Sequence, residues 1–222
     1  MRSRFPRLLL LASLLIVLSA CKTPLQPAGH GGPGAYSGQV SGQVTAPPSQ
    51  ISAIGGFEAY RLTSFSGEVP VGDHATVQAF TLAGDPLPQA TARTDAEGRF
   101  HLSGIPTDQL SLLKATVTGK NGKSLTITGL VKPDGSTAVT KVSAASSVVA
   151  QGLLKLGVSP TASLVTQVLL DQVVEKLVSV ASETERTPDL TGETDLAELF
   201  QSALTRTATL KLLVEKLVKA ES

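Results

Sequence analysis

Few side chains in this sequence could do covalent or acid–base chemistry, and Cys21 comes first among them. It is the single cysteine in 222 residues, so neither an intramolecular disulfide nor a thiolate metal cage can form. Three histidines accompany it, His30, His74 and His101. His30 has no second ligand type nearby. His74 and His101 fall in strand-like runs at positions that alternate outward, which suits surface residues better than general bases. Asp95 and Glu97 bring two carboxylates close together, short of the roughly six to eight oxygens that Ca²⁺ takes. The chain contains no Gly-x-Ser-x-Gly elbow, no His-Glu-x-x-His pair, no phosphate loop and no dinucleotide fingerprint. These residues point away from an enzyme: no catalytic, cofactor-binding or metal-ligating residue is expected, and no cofactor.

What Cys21 does depends on the elements around it. Arg2, Arg4 and Arg7 precede an apolar run from Leu8 to Leu18 that only Ser13 interrupts. As a helix the run would rise about 16 Å, half of a ~30 Å hydrocarbon core. A basic segment, a short apolar segment and small residues make a secretory signal rather than a membrane span. Its end, Leu18-Ser19-Ala20-Cys21, resembles the lipobox of bacterial lipoproteins. The resemblance implies that residues 1–20 are removed by cleavage before Cys21 and that the Cys21 thiol is lipidated. Acyl chains contribute about 0.8 kcal/mol per buried CH₂, so several chains together anchor a protein firmly. Lys22, rather than an aspartate, follows the cysteine, which by the rule of that family favours the outer membrane of a diderm envelope. Loss of three arginines and no acid leaves 16 basic against 18 acidic groups, or −2. Acyl chains, not charge, would then hold the protein on the membrane. Residues 21–35 are rich in Gly and Pro and read as a flexible tether.

The whole chain is 41% hydrophobic and 17% charged, with formal net charge +1 and eight aromatics, none of them Trp. That balance excludes a strongly basic nucleic-acid binder, and so few aromatics argue against a base-stacking platform. From residue 36 to residue 142 the pattern is short alternating runs divided by turn residues. Strands are expected over 36–44, where Tyr36, Val40 and Val44 share a face with Gly38 and Gly42, and over 74–82, 89–94, 99–103, 110–118 and 124–131. Lys120-Asn-Gly-Lys123 suggests a two-residue hairpin turn. Residues 46–66 interrupt the series as an insertion carrying Ile51, Ile54, Phe57, Tyr60, Leu62 and Phe65, read as a long loop or extra hairpin or as a contact surface. The turn spacing predicts an antiparallel sandwich of roughly six or seven strands.

Within this region the run Val69-Pro-Val-Gly-Asp-His-Ala-Thr-Val77, then Thr94-Asp95-Ala-Glu-Gly98-Arg-Phe100, then Ile105-Pro106, resembles the carboxypeptidase regulatory-like domain. The resemblance covers residues 38–132 and implies a transthyretin-like, seven-stranded sandwich, with Leu110 at a place where the family usually has Tyr. The hairpin residues have a local account of their own. Asp95 can accept turn N–H groups, Gly98 can take a positive φ, and Phe100 and Leu102 point inward with His101 outward.

From residue 143 the period changes to that of a helix. Helices are expected over 144–156, over 161–181 with Ser159 as N-cap and Pro160 at the first position, and over 193–220. The second carries a stripe of Leu164, Val165, Val168, Leu169, Val173, Leu177 and Val180. The third places Leu196, Phe200, Ala203, Thr207, Leu210, Val214 and Leu217 on a heptad seam. The chain therefore reads as segregated α+β. A signal peptide (1–20), a tether (21–35) and an antiparallel seven-stranded β-sandwich (36–142) precede a helical region of about three helices (143–222). The function expected is a non-catalytic, lipid-anchored cell-envelope lipoprotein that binds or scaffolds. Its partners would be the membrane, through Cys21, and an unidentified protein or glycan, with no nucleic acid. The seam is expected to pack inside a monomer; the alternative is an accessory subunit docking on an envelope membrane complex through that seam.

Overall fold

Alternating apolar residues become strands and 3.6-periodic residues become helices in the order the sequence sets out, giving a mixed α+β chain. A computed structural model describes residues 38–55, 67–134, 137–159, 161, 165–181, 190 and 193–218. They contain two four-stranded sheets. In the first, β1 (Gly38–Ala46) pairs antiparallel with β5 (Arg99–Ile105) and with the two-residue β2 (Val69–Pro70), and parallel with β8 (Thr137–Val142). In the second, β4 (Pro86–Arg93), β3 (Ala75–Thr81), β6 (Ser111–Thr118) and β7 (Ser124–Val131) lie side by side, all antiparallel. Val40, Val44, Phe100 and Leu102 of the first sheet join Val77, Leu113, Ala115 and Ile127 of the second in one buried cluster. Phe100 lies opposite Gly42 in the register, and a Cβ on Gly42 would stand 2.7 Å from the ring. The glycine leaves the space that the aromatic ring covers.

The structure corrects the expected seven-stranded antiparallel sandwich in two respects. There are eight strands among the described residues, and one pair, β1–β8, is parallel. A parallel neighbour cannot be reached by a hairpin. Here the chain leaves β7 in the second sheet and enters the first as β8, so no tight turn dictates an antiparallel approach. Part of the 46–66 insertion is also helical: α1 (Pro48–Ala53) buries Ile51 and is followed by the buried Ile54. Asn121 Nδ2 donates to the Ala53 carbonyl at 3.2 Å, fixing α1 to the β6–β7 hairpin. That hairpin closes through Gly119 N–H to Lys123 O at 2.9 Å, so three residues turn the chain rather than two.

Four helices follow: α2 (Ala144–Lys155), α3 (Gln167–Ala181), α4 (Glu193–Arg206) and α5 (Ala208–Val218). Ser143 and Ser146 form a reciprocal cap at the start of α2, each side chain accepting the other's backbone N–H at 3.1 and 2.8 Å. At its end Gly157 adopts φ +74, Val158 N–H reaches Leu153 O and Gly157 N–H reaches Leu154 O. This left-handed ending satisfies carbonyls that the last turn would otherwise leave open. Helix α3 starts later than residue 161, because Thr166 takes the capping role and its hydroxyl accepts Leu169 N–H at 3.2 Å. Ser159 Oγ accepts Thr161 N–H at 3.4 Å; Pro160 and Leu164 lie outside the described residues.

The buried face of α3 is correspondingly rotated. Leu170, Val173 and Leu177 are buried, while Val168 is 63% exposed. The single helix expected over 193–220 is divided at Thr207, although Thr207 N–H and Lys211 N–H still make helical bonds to Ala203 O and Thr207 O. Next to the division, the Thr205 hydroxyl donates back to Ser202 O at 2.8 Å, a side-chain bond that competes with the helical backbone.

Candidate functional site

Cys21 and His30 lie outside the described residues, as do Tyr36, Phe57, Tyr60, Leu62 and Phe65. The remaining chemistry-bearing residues separate into a hairpin, an exposed pair and two clefts.

In the hairpin, Asp95 Oδ1 accepts Glu97 N–H at 3.0 Å and Arg99 N–H at 2.8 Å, and Gly98 takes φ +73. Arg99 closes the turn with Nε 2.9 Å from Asp95 Oδ2 and Nη2 2.9 Å from Glu97 Oε2. Its backbone bond, foremost, holds the Asp95 carboxyl below the usual carboxylate range. Thr94 braces the turn, donating to Gly72 O at 2.6 Å and accepting Ala75 N–H at 3.1 Å. Both carboxylates are thus engaged by one guanidinium. Among the described residues no group of three or more His, Cys, Asp and Glu is placed to hold a metal ion.

His101 is exposed, as its alternation predicted, with Nδ1 2.9 Å from Ser41 Oγ across β1 and β5. The pair stands on the open face of the first sheet. His74 Nε2 is 3.4 Å from Asp73, also near the surface. Neither histidine lines the clefts described below.

The first cleft, about 510 Å³, lies between β8, α2 and α3. Its polar end is Glu68, a residue the sequence did not single out. Glu68 Oε2 accepts the Thr45 hydroxyl at 2.6 Å, and Oε1 accepts Ala144 N–H at 2.7 Å. One carboxylate therefore ties β1 to the start of α2, where negative charge complements the helix dipole. Burial pushes its carboxyl above the ordinary glutamate range, against those two bonds and the positive charge of Lys141. Across the cleft burial also raises Asp171, opposed by a 2.9 Å bond from Gln167 Nε2. Gln167 in turn accepts Lys132 N–H at 3.1 Å. Val139, Val149, Val174 and Val178 form the apolar walls. No local signal marks Glu68, since its partners are 23 and 76 residues away.

The second cleft, about 490 Å³, lies over the outer face of the second sheet and is bounded by Gln151 of α2 and Leu196 of α4. Its floor is set by strand register. Gln78, Lys114 and Thr128 form one row across β3, β6 and β7, and Thr76, Thr116 and Thr126 form the next. Serines of α2 close the exposed edge of β7, where Ser147 Oγ accepts Thr128 N–H at 2.8 Å and Ser146 Oγ donates to Thr128 O at 2.6 Å.

The heptad seam is turned largely inward, with Leu196 at the rim of the second cleft and Thr207 half-buried. Leu196, Phe200, Ala203, Leu210, Val214 and Leu217 are all buried. Helix α4 lies against α2 and helix α5 against α3, so the two halves of the seam have different partners within the chain. Among the described residues no helix is long and apolar enough to cross a membrane. No protein-family model matches the chain, and a search of curated proteins found no significant match.

Proposed function

We propose that the protein is a non-catalytic, lipid-anchored lipoprotein of the bacterial cell envelope, located in the outer membrane where the envelope is diderm. Acyl chains on Cys21 hold it to the membrane, and the sheets and helices act as a monomeric binding or scaffolding body. The observation that carries this reading is Leu18-Ser19-Ala20-Cys21 behind three arginines and a short apolar run, with the only cysteine of the chain at the lipidated position. The body itself is read as a carboxypeptidase regulatory-like sandwich. The Thr94–Phe100 hairpin supports that reading, with its braced threonine, its Asp95 turn and its inward phenylalanine.

The test is Cys21→Ser, followed by membrane fractionation and mass spectrometry of the N-terminal peptide. The parent should yield a peptide starting at Cys21 and carrying acyl mass. The variant should remain uncleaved or leave the membrane fraction. Normal cleavage with unchanged membrane retention in the variant would overturn the lipoprotein reading.

A further inference from the structure

The geometry points to a peptide-binding groove: the cleft between β8 and α3 receives an extended segment of a partner protein, alternating apolar and basic side chains, as a strand added to β8. This gives the binding role above a partner class and rests on that reading only for its setting.

Strand β8 is an edge. Among the described residues it pairs with β1 alone, and an edge strand turns alternate N–H and C=O groups away from its one neighbour. Thr140 is the register partner of Gly42, and its carbonyl oxygen points at β1, being the nearest atom that a Cβ on Gly42 would meet. By alternation Val139 and Lys141 turn their backbone groups the other way. The space beside them is open: Val139, Thr140 and Lys141 line one wall of the cleft of about 510 Å³, and Val139 is 70% exposed. Helix α3 forms the opposite wall from Leu170 to Val178. That length of helix rises about 12 Å, and Val139 to Ser143 spans about 13 Å of strand. The groove therefore holds roughly four residues of extended chain. An edge strand with room for another strand beside it is what peptides use when they add to a sheet.

The walls select the segment. Val174 and Val178 are half-buried and within reach, beside the buried Val149 and Leu170. They would take the apolar side chains on one face of the added strand. Glu68, Asp171 and Glu175 line the same groove against Lys141. Asp171 and Glu175 stand one helical turn apart, and burial first, then the charge of Glu175, raise the Asp171 carboxyl. A like-charge pair at that spacing is unfavourable, and a cation placed beside it relieves the repulsion. Lysine or arginine side chains of the segment would supply that cation. Charge complementarity thus favours a basic segment over an acidic one, and the strand edge favours an extended segment over a helix.

The experiment is isothermal titration calorimetry of the full-length chain in mild detergent, with the peptide acetyl-KVKVKV-amide as probe. It should bind one-to-one with a dissociation constant of about 100 μM or tighter, and acetyl-EVEVEV-amide at least about tenfold more weakly. Two further probes carry N-methyl groups on all the lysine amides or on all the valine amides. Only one edge of an added strand faces β8, so one pattern should weaken binding at least about tenfold and the other should leave it unchanged. Glu175→Lys, at an exposed position, should weaken binding about fivefold without lowering the unfolding midpoint. Val178→Trp should fill the groove and weaken binding at least about tenfold; if it unfolds early, Glu175→Lys alone decides the location. Absence of binding at tenfold the stated concentration overturns the proposal, as do equal binding of the acidic peptide, any other response to methylation, and binding undiminished by Glu175→Lys. A dimer seen by light scattering and abolished by Val178→Trp would place a second copy in the groove and would also overturn it. None of these outcomes bears on whether Cys21 is lipidated, so failure here and failure of the anchor are separately visible.

Discussion

Replacing Gly152 with alanine tests the helix packing through the sign of its effect. In an exposed helix interior the change stabilises by about 1 kcal/mol, because alanine restricts the unfolded backbone and favours the helix. At position 152 the added Cβ would stand 2.0 Å from Phe200 Cδ1, 2.2 Å from Cγ and 2.7 Å from Cβ. Comfortable carbon contacts lie at about 3.5–4.0 Å, so ring and methyl would have to separate by more than an ångström. Phe200 is fully buried, and its neighbours on α4, Leu196 and Ala203, are also inside. Neither a rotamer change nor a small helix shift relieves the overlap without disturbing them. Overpacking of this kind costs about 1–3 kcal/mol and sometimes more, and the size of the overlap puts it at the upper end. After the propensity gain, a net loss of about 2 kcal/mol remains. The assay is urea unfolding of the full-length chain followed by far-UV circular dichroism. Phe200→Ala alone should cost about 3–5 kcal/mol, but distinctly less on the Gly152→Ala background, because the cavity accepts the new methyl. A Gly152→Ala protein as stable as the parent, or purely additive effects in the double variant, would refute the close approach of α2 and α4.

Two further outcomes follow from groups that the fold encloses. Burial raises the Glu68 carboxyl, so the folded chain keeps a proton that the unfolded chain has released. Its contribution to stability is therefore full below the unfolded value and is lost as pH rises through the folded one. Glu68→Gln should flatten the pH dependence of the unfolding midpoint on the acid side of neutrality, and a midpoint tracking the parent at every pH would refute a raised carboxyl. Leu210 and Leu217 are buried in the seam half that meets α3. Aspartate at both should destabilise the chain strongly without changing its mass by light scattering, because unpaired charges would be buried. A parent dimer that becomes a folded monomer would instead place the seam between copies.

What the sequence made legible is what local chemistry decides. The Asp95 turn could be read because its acceptors and donors lie within four residues, and Arg99 N–H sits where the pattern required it. The alternation of Phe100, His101 and Leu102 follows from the pleat alone, and the structure buries the outer two and exposes the middle one. The heptad seam could be read for the same reason: spacing puts its residues on one face whatever that face meets. Its division between α2 and α3 could not be read, because spacing does not name the partner. The start of α3 depends on more than spacing. At Gln167, where α3 begins, Thr166 supplies a hydroxyl beside the buried run, and Gln167 turns inward to hold Lys132 N–H. A tertiary bond then decides which residues face the core.

The residues that escaped reading share one property: each matters through partners contributed by distant elements. Glu68 is an ordinary glutamate until β1 brings Thr45 to one oxygen and α2 brings Ala144 to the other. Thr128 is an ordinary strand threonine until two serines of α2 take its backbone groups and the fold encloses its hydroxyl. Parallel pairing of β8 with β1 belongs to the same class, since it depends on the crossing of the chain from one sheet to the other. The start of α2 is common to Glu68 and Thr128: Ala144 N–H holds one, Ser146 and Ser147 hold the other. One helix start therefore borders or braces both clefts, through polar residues, Ser143, Ser146 and Ser147, that carry no charge. Their role comes from position alone. A chemistry search along the sequence passes over such residues, although here two of them fix the backbone of an enclosed threonine.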